Sequence, residues 1–241
     1  VDTQRHLESI IQARADNDGR GDIYSAKNQN LALSVEFSRW SADLYRRYLE
    51  WFVTYIPRSP RAILDVGCDN GVVTCFYALR YPKATVVGMD IDASGIRCAR
   101  ELAKAIGVSN ATFIESDIAN AGQHFGEGYF DVVTSLCSFN EIIGIPHFPP
   151  HWRRDDIEFD LGPVEPALLG VQSVMDKEGI LVSADRFFGV LIDGLVWWAT
   201  KLGTIGLNVD WGASDWLNFH EVGDCRYLPL IVAGGAIPTG S

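Results

Sequence analysis

Cysteine is scarce and scattered in this chain. Its 241 residues hold five, Cys68, Cys75, Cys98, Cys137 and Cys225, an odd set without a Cys-x-x-Cys pair. That fits neither a disulfide framework nor a structural zinc site, so no metal is expected and a reducing, cytoplasmic setting is. Long apolar runs are also missing. The most apolar stretch, 189–199, is short and contains Asp193, whereas a membrane span needs roughly 20 predominantly apolar residues. Nothing at the N-terminus reads as a signal peptide, so no membrane partner is expected. Basic charge is in deficit: 20 Lys and Arg stand against 31 Asp and Glu, a formal charge of −11. The pairs Arg46-Arg47 and Arg153-Arg154 are too small to make a phosphate-tracking surface, and nucleic acid is not expected as a partner. Val1 stands where an initiator Met would, and the chain runs out in Pro238-Thr239-Gly240-Ser241. A processed or excised piece fits, and a homodimer or a fusion to another domain stays open.

What is present is a globular composition, 47% hydrophobic and 21% charged, long enough for one α/β core with additions. Phe37, Trp40, Leu44, Tyr48, Trp51 and Tyr55 alternate steps of three and four, the stripe of an amphipathic helix that Pro57 and Pro60 end. A second helical candidate covers Leu7 to Ala13. Residues 1–58 therefore read as a helical N-terminal extension or lid, and 59–241 as the main domain. From Ala62 the pattern alternates. Strand candidates are Ala62 to Val66, Thr85 to Met89, Thr112 to Glu115, Phe130 to Ser135 and Ile180 to Ala184. Helices are expected at Val72 to Arg80, from a Ser94 cap through Ile96, Ala99, Ala103 and Ile106 to a stop at Gly107, and at Val164 to Met175. Strands interleaved with helices imply a doubly wound, mostly parallel sheet, whose ligands bind at the carboxyl ends of the strands.

Those ends carry the chemistry. Ile63-Leu64-Asp65-Val66-Gly67-Cys68-Asp69-Asn70-Gly71 runs from a strand into a turn. The next strand ends in Gly88-Met89-Asp90-Ile91-Asp92, about 20 residues on, a spacing suited to an acid on nucleoside ribose hydroxyls. The third ends in Glu115-Ser116-Asp117-Ile118. A dinucleotide would lay its pyrophosphate on a Gly-x-Gly-x-x-Gly turn, but Val72 stands where a glycine would help, and Asp65 and Asp69 would repel phosphate. A cofactor with an ammonium and a sulfonium suits these carboxylates, and its single carboxylate can use amides at a helix N-terminus. The plainer reading stays beside this one: Gly67 and Gly71 can simply turn the chain. Asp92, next to a helix start, reads as a stabiliser of that helix, and Asp131 as structural.

Leu64 to Gly71 resembles the first motif of the class I S-adenosylmethionine-dependent methyltransferases. Val87-Gly88-Met89-Asp90-Ile91, Ser116-Asp117-Ile118 and Phe130-Asp131-Val132-Val133 resemble its later motifs, in order, over about residues 60–235. The resemblance implies a seven-stranded Rossmann-like sheet with an antiparallel last strand, and S-adenosyl-L-methionine as cofactor. It implies that Asp65 and the backbone of Gly67 and Cys68 hold the methionine part, with Gly71 closing the turn. Asp90 would take the ribose, Ile91 an adenine face, Asp117 the adenine amino group and the Ile118 amide a ring nitrogen. Ser135 at the end of the fourth strand, and Tyr24 in the segment where the family often places a lid, complete the cofactor set. Asp69 departs from the family's glycine. No Asn/Asp-Pro-Pro-Tyr/Phe follows strand four, where Ser135-Leu136-Cys137-Ser138-Phe139-Asn140-Glu141 stands, so amino methylation of adenine or glutamine loses support.

In-line methyl transfer needs alignment in a water-poor site, and a base only if the acceptor must lose a proton. Glu141, His147 and His151 are the catalytic candidates, with Asp185 a further one by position; for His147 and His151 the plainer reading, surface histidines of the loop 139–165, carries more weight. The late aromatics, Trp197 and Trp198 among them, read as core. The reading is a methyltransferase of a small-molecule acceptor. A non-catalytic nucleoside-binding module of the same fold is the alternative.

Overall fold

The computed structural model describes residues 5, 8, 12, 23–142, 164–185, 191–221 and 224–235. Most of the Leu7 to Ala13 helix candidate, His147 and His151 lie outside them.

Five short apolar runs become the parallel strands β1 (Ala62–Val66), β2 (Thr85–Asp90), β3 (Ala111–Glu115), β4 (Phe130–Leu136) and β5 (Met175–Ala184). β1 lies between β2 and β4, with Leu64 opposite both Val87 and Val133. Alternate residues feed opposite faces, as strand geometry requires. Ile63, Val86, Val132 and Val182 enter one apolar cluster, and Leu64, Val87, Val133 and Leu181 the other. Asp131 ties the entrance of β1 to β4 by accepting the amides of Arg61 and Ala62, both at 2.7 Å, the structural role its position suggested.

The first face is covered by α3 (Ala42–Tyr55) and α4 (Val72–Arg80), and beyond them α5 (Ala93–Ala105) packs on β3. The second is covered by α6 (Ala121–His124), α8 (Val164–Val174) and α9 (Leu191–Thr204), whose Trp197 and Trp198 are fully buried. A four-residue helix, α7 (Phe139–Ile142), follows β4. Before α3 come α1 (Ile23–Lys27) and α2 (Leu31–Trp40).

The sheet order is β3-β2-β1-β4-β5-β8-β6, where β8 (Asp224–Gly234) runs antiparallel to β5. β6 (Asn208–Val209) and β7 (Asp215–Glu221) both pair with β8. They form one edge strand in two pieces, so eight segments make the expected seven-stranded order with its antiparallel strand. The interruption is a turn held by Asp210, whose Oδ1 accepts the amides of Gly212 and Ala213 while its own amide bonds Val232 O at 2.8 Å.

Four local expectations change. The single helix through Phe37 and Trp40 breaks at Ser41 (φ −101°, ψ 11°), because α2 lies against α5 while α3 turns onto the sheet. Trp40 is thus exposed, and Leu49 and Phe52 are buried in its stead. The α5 cap is Asp92 rather than Ser94, its carboxylate accepting the Ser94 and Gly95 amides at 3.1 and 3.0 Å, which gives Asp92 the helix-start role expected of it. Ile106 sits past the helix end, exposed, just before Gly107 at φ +74°. β5 begins at Met175, opposite Phe130, and makes an irregular step before the regular pairing from Ile180.

Candidate functional site

The β1–α4 turn is left-handed at Gly67 (φ 69°), Asp69 (φ 46°) and Gly71 (φ 75°). A Cβ on Gly67 would sit 2.4 Å from Ser138, and one on Gly71 2.7 Å from Ala99 and Phe113. Glycine is required at both by conformation and space. Four of the turn's amides, those of Gly67, Cys68, Asp69 and Gly71, are engaged within the fold. Gly67 and Cys68 both donate to Met89 O, at 2.8 and 3.2 Å, and Gly71 donates to Cys68 O. Asp69 N donates to Asp90 Oδ2 at 2.8 Å. The turn can therefore offer carbonyl oxygens and carboxylates to a ligand, groups suited to a cation; the Gly67 and Cys68 amides, expected at the methionine part, face Met89.

Asp90 ends β2 half-buried, with Oδ1 accepting the Asp92 amide at 2.9 Å. Burial raises its pKa above the ordinary 3.8, the amides of Asp92 and Asp69 oppose that, and the carboxylates of the same two residues add to it. Each oxygen accepts one backbone bond, which leaves lone pairs for hydroxyls. Beside it Ile91 is 72% exposed, an apolar side chain held out in water where a flat ring could lie. Asp117 is exposed at the end of β3, accepting the Ala119 amide at 2.9 Å, and Ile118 beside it is buried.

Two residues expected at the cofactor are shut away. Asp65 is 2% exposed, its oxygens accepting from Thr74 (2.6 Å) and Thr134 (3.3 Å). Burial pushes its pKa up to about 7 against those two hydrogen bonds. Odd and even positions of a strand face opposite ways, so Asp65 points into the α4 layer and supports the turn from behind. Ser135 is fully buried, its hydroxyl donating to Asp185 at 3.1 Å. Asp185 also accepts the amides of Ser138 and Phe139, both at 2.9 Å. It holds the start of α7 and, being almost wholly buried, it is a scaffold for that helix rather than an acceptor-facing base. Cys68, buried among Asp90, Asp65 and Asp69, has its thiol pushed well up by burial and then by those charges, and is neutral.

The departure at Asp69 has a structural partner that the motifs did not reveal. α1 crosses the strand ends above the turn. Lys27 forms an ion pair with Asp69, Asn28 donates to Asp69 Oδ1 at 2.7 Å and to Asp92 Oδ2 at 3.1 Å, and Tyr24 donates to Glu141 on α7. Ser34 donates to Asn28 Oδ1 at 2.6 Å, and Asn70 donates to the Ser34 and Ser38 hydroxyls, each at 2.8 Å. Asp92 ends below its ordinary pKa: burial pulls it up, but hydrogen bonds from Ser94 and Asn28 and the cap amides outweigh that. The structure thus brings Tyr24 and Glu141 together, and joins them to the acids Asp69 and Asp92, just past the ends of β1 and β2, through α1 and Asn28. Only the polar run Lys27-Asn28 and the unusual Asp69 could have hinted at this.

A left-handed glycine turn after β1, an acid ending β2 and a third acid after β3, at the carboxyl edge of this sheet, define a nucleoside-binding Rossmann-like protein. A family model described as a methyltransferase domain matches residues 58–187, more than half of the chain, and the chain belongs to that family of class I methyltransferases. It is 35% identical over 89 residues to a trans-aconitate 2-methyltransferase of Afipia carboxidovorans, covering 34% of this chain and 33% of that one. It is 45% identical over 171 residues to a malonyl-acyl-carrier-protein O-methyltransferase of Legionella pneumophila, covering 71% of this chain and 50% of the relative. The chain spans a third to a half of the length of these relatives; others are named for a ribosomal protein or a tRNA adenine as acceptor. The fold is that of an S-adenosylmethionine-dependent methyltransferase from Aquifex aeolicus, with TM-score 0.55 and 15% identity over 76% of this chain and 87% of that one. Membership implies S-adenosyl-L-methionine as cofactor, and the residues fit it: acids and carbonyls at the turn, Asp90 with free lone pairs, and exposed Ile91 beside it. No helix among the described residues is long and apolar enough to cross a membrane.

Proposed function

We propose that the protein transfers a methyl group from S-adenosylmethionine to a small-molecule acceptor. The carrying observation is the segment of α1 and Asn28 laid from Asp92 past Asp69 to Glu141, which narrows the approach to the strand ends where the cofactor residues stand. The acidic charge of −11 supports the same reading, since a nucleic-acid acceptor calls for basic clusters. When bound, the cofactor supplies an electrophilic methyl group. In this reading Asp90 holds the ribose, Ile91 and Asp117 the adenine, and the Gly67 carbonyl the ammonium. Glu141, half-buried on α7, takes the acceptor's proton, while Asp185 keeps α7 in place. The lid narrows to 23–40, because α3 packs into the core with Tyr48, Phe52 and Ile56.

The test is turnover with methyl-labelled cofactor on a cell extract split by size. Label in the small-molecule fraction is expected; label in protein or RNA would overturn the acceptor class. Binding of S-adenosylhomocysteine with no transfer anywhere would favour a non-catalytic module. Glu141→Gln divides acceptor chemistries, since loss of a general base costs about 10²–10⁴-fold. A hydroxyl or amine acceptor should show that loss. A carboxylate acceptor, already deprotonated like the trans-aconitate named for one relative, should lose little.

A further inference from the structure

Lys27 is only 7% exposed, yet its ammonium has a sparse set of partners. Asp69 is its one hydrogen-bond acceptor among the described residues. The Tyr24 and Phe37 rings lie 4.6 and 5.3 Å away over their faces. An ammonium carries three N–H donors, and a cation withdrawn from water with one acceptor is under-satisfied. Aromatic faces attract the charge without accepting in the geometry of a hydrogen bond. Two of its three donors therefore have no acceptor among the described residues, beside the β1–α4 turn.

The turn poses the complementary problem. The amides of Gly67, Cys68, Asp69 and Gly71 are all engaged within the fold, and Asp69 and Asp90 put negative charge beside them. An amino-acid ligand could leave its ammonium among these acceptors, but its carboxylate would meet repulsion and none of those four amides. We infer that Lys27 is the cation that receives the carboxylate of the cofactor's amino-acid end, aimed by Asp69 and walled by Tyr24 and Phe37. The inference rests on the S-adenosylmethionine reading. It makes α1 part of the binding site, with Asp69 the residue that points the lysine where a glycine could not.

The test is calorimetric binding of two neutral-sulfur probes, S-adenosylhomocysteine and the analogue lacking only its carboxylate, S-adenosyl-3-thiopropylamine. The wild-type chain should prefer the homocysteine compound tenfold or more. Lys27→Met should abolish that preference by weakening the homocysteine compound alone, and Lys27→Arg should keep most of it. Asp90→Ala, acting at the shared nucleoside, should weaken both probes alike. Equal affinity of the wild type for the two probes overturns the inference without needing any variant to fold. So does a Lys27→Met protein that keeps the preference, or one that weakens both probes equally, which would make Lys27 a brace for α1. Failure of the wild type to bind either probe would instead sink the cofactor reading itself.

Discussion

Asp65 is a carboxyl group held beside the cofactor turn but out of water, and its titration sets a measurable pH dependence. Its pKa rises from 3.8 to about 7, chiefly through burial. Between those values the native state keeps a proton that the unfolded chain has lost. Stability falls with pH wherever the native state binds more protons. Asp65 therefore contributes least above about pH 7, and the change across the window is on the order of a few kcal/mol. Asp65→Asn keeps a neutral group there at every pH. In urea unfolding from about pH 4.5 to about pH 7.5, the wild type should lose stability relative to the variant. A difference that stays flat would mean that Asp65 is ionised throughout. Asp69, four residues on, is placed differently: it forms an ion pair with Lys27 and accepts a hydrogen bond from Asn28.

At the scale of elements, β1, β2 and β4 are legible in the sequence because each is a short apolar run ended by a turn and buried between helix layers, and the edge strand β3, with only Phe113 buried, by its place in the alternation of strand and helix. The acids that end them are legible for the same reason: a strand end in a parallel sheet is a ligand edge. What is not legible depends on neighbours far along the chain. Nothing in Phe37 to Tyr55 signals a break at Ser41, because the two helices differ only in what they pack on. β6 and β7 are pieces of one edge because Asp210 folds its own turn. Five residues are too few for periodicity to reveal α1, so Lys27 and Asn28 escape motif reading. The layer opposite α1 offers a sharper test. Gly170 on α8 lies so close to the turn after β3 that an added Cβ would fall 2.0 Å from Ile118 O. Gly170→Ala should improve helix propensity by up to about 1 kcal/mol, yet overpacking costs about 1–3 kcal/mol. Here the obstacle is backbone, so net destabilisation is expected. Because the displaced turn carries Asp117 and Ile118, S-adenosylhomocysteine affinity should drop as well. A variant more stable than wild type would show that α8 can shift freely from β3.

Across the whole molecule, the ligand edge is joined by polar contacts and the far side by apolar packing. α1 and Asn28, which follows it, tie the ends of β2, β1 and β4 together through Asp92, Asp69 and Glu141, whereas α9 meets the sheet through Trp197, Trp198 and Leu202. Ligand binding to the native state alone adds about 2.7 kcal/mol at 100-fold Kd. Amides that exchange only by global unfolding should slow everywhere by the corresponding factor. Those that exchange by local opening report contact and coupling instead. With S-adenosylhomocysteine bound, local slowing is expected in 66–71, 90–95 and 116–120. If α1 is part of the site, the slowing should extend through 23–40 and into α7, although residues 23–40 are remote in sequence from every motif. The locally opening amides of 200–212, on the far side of β8, should keep their rates. Slowing at the three strand ends with 23–40 unchanged would mean that the cofactor sits beneath α1 without engaging it, and that the polar strap is an ornament of the free protein alone.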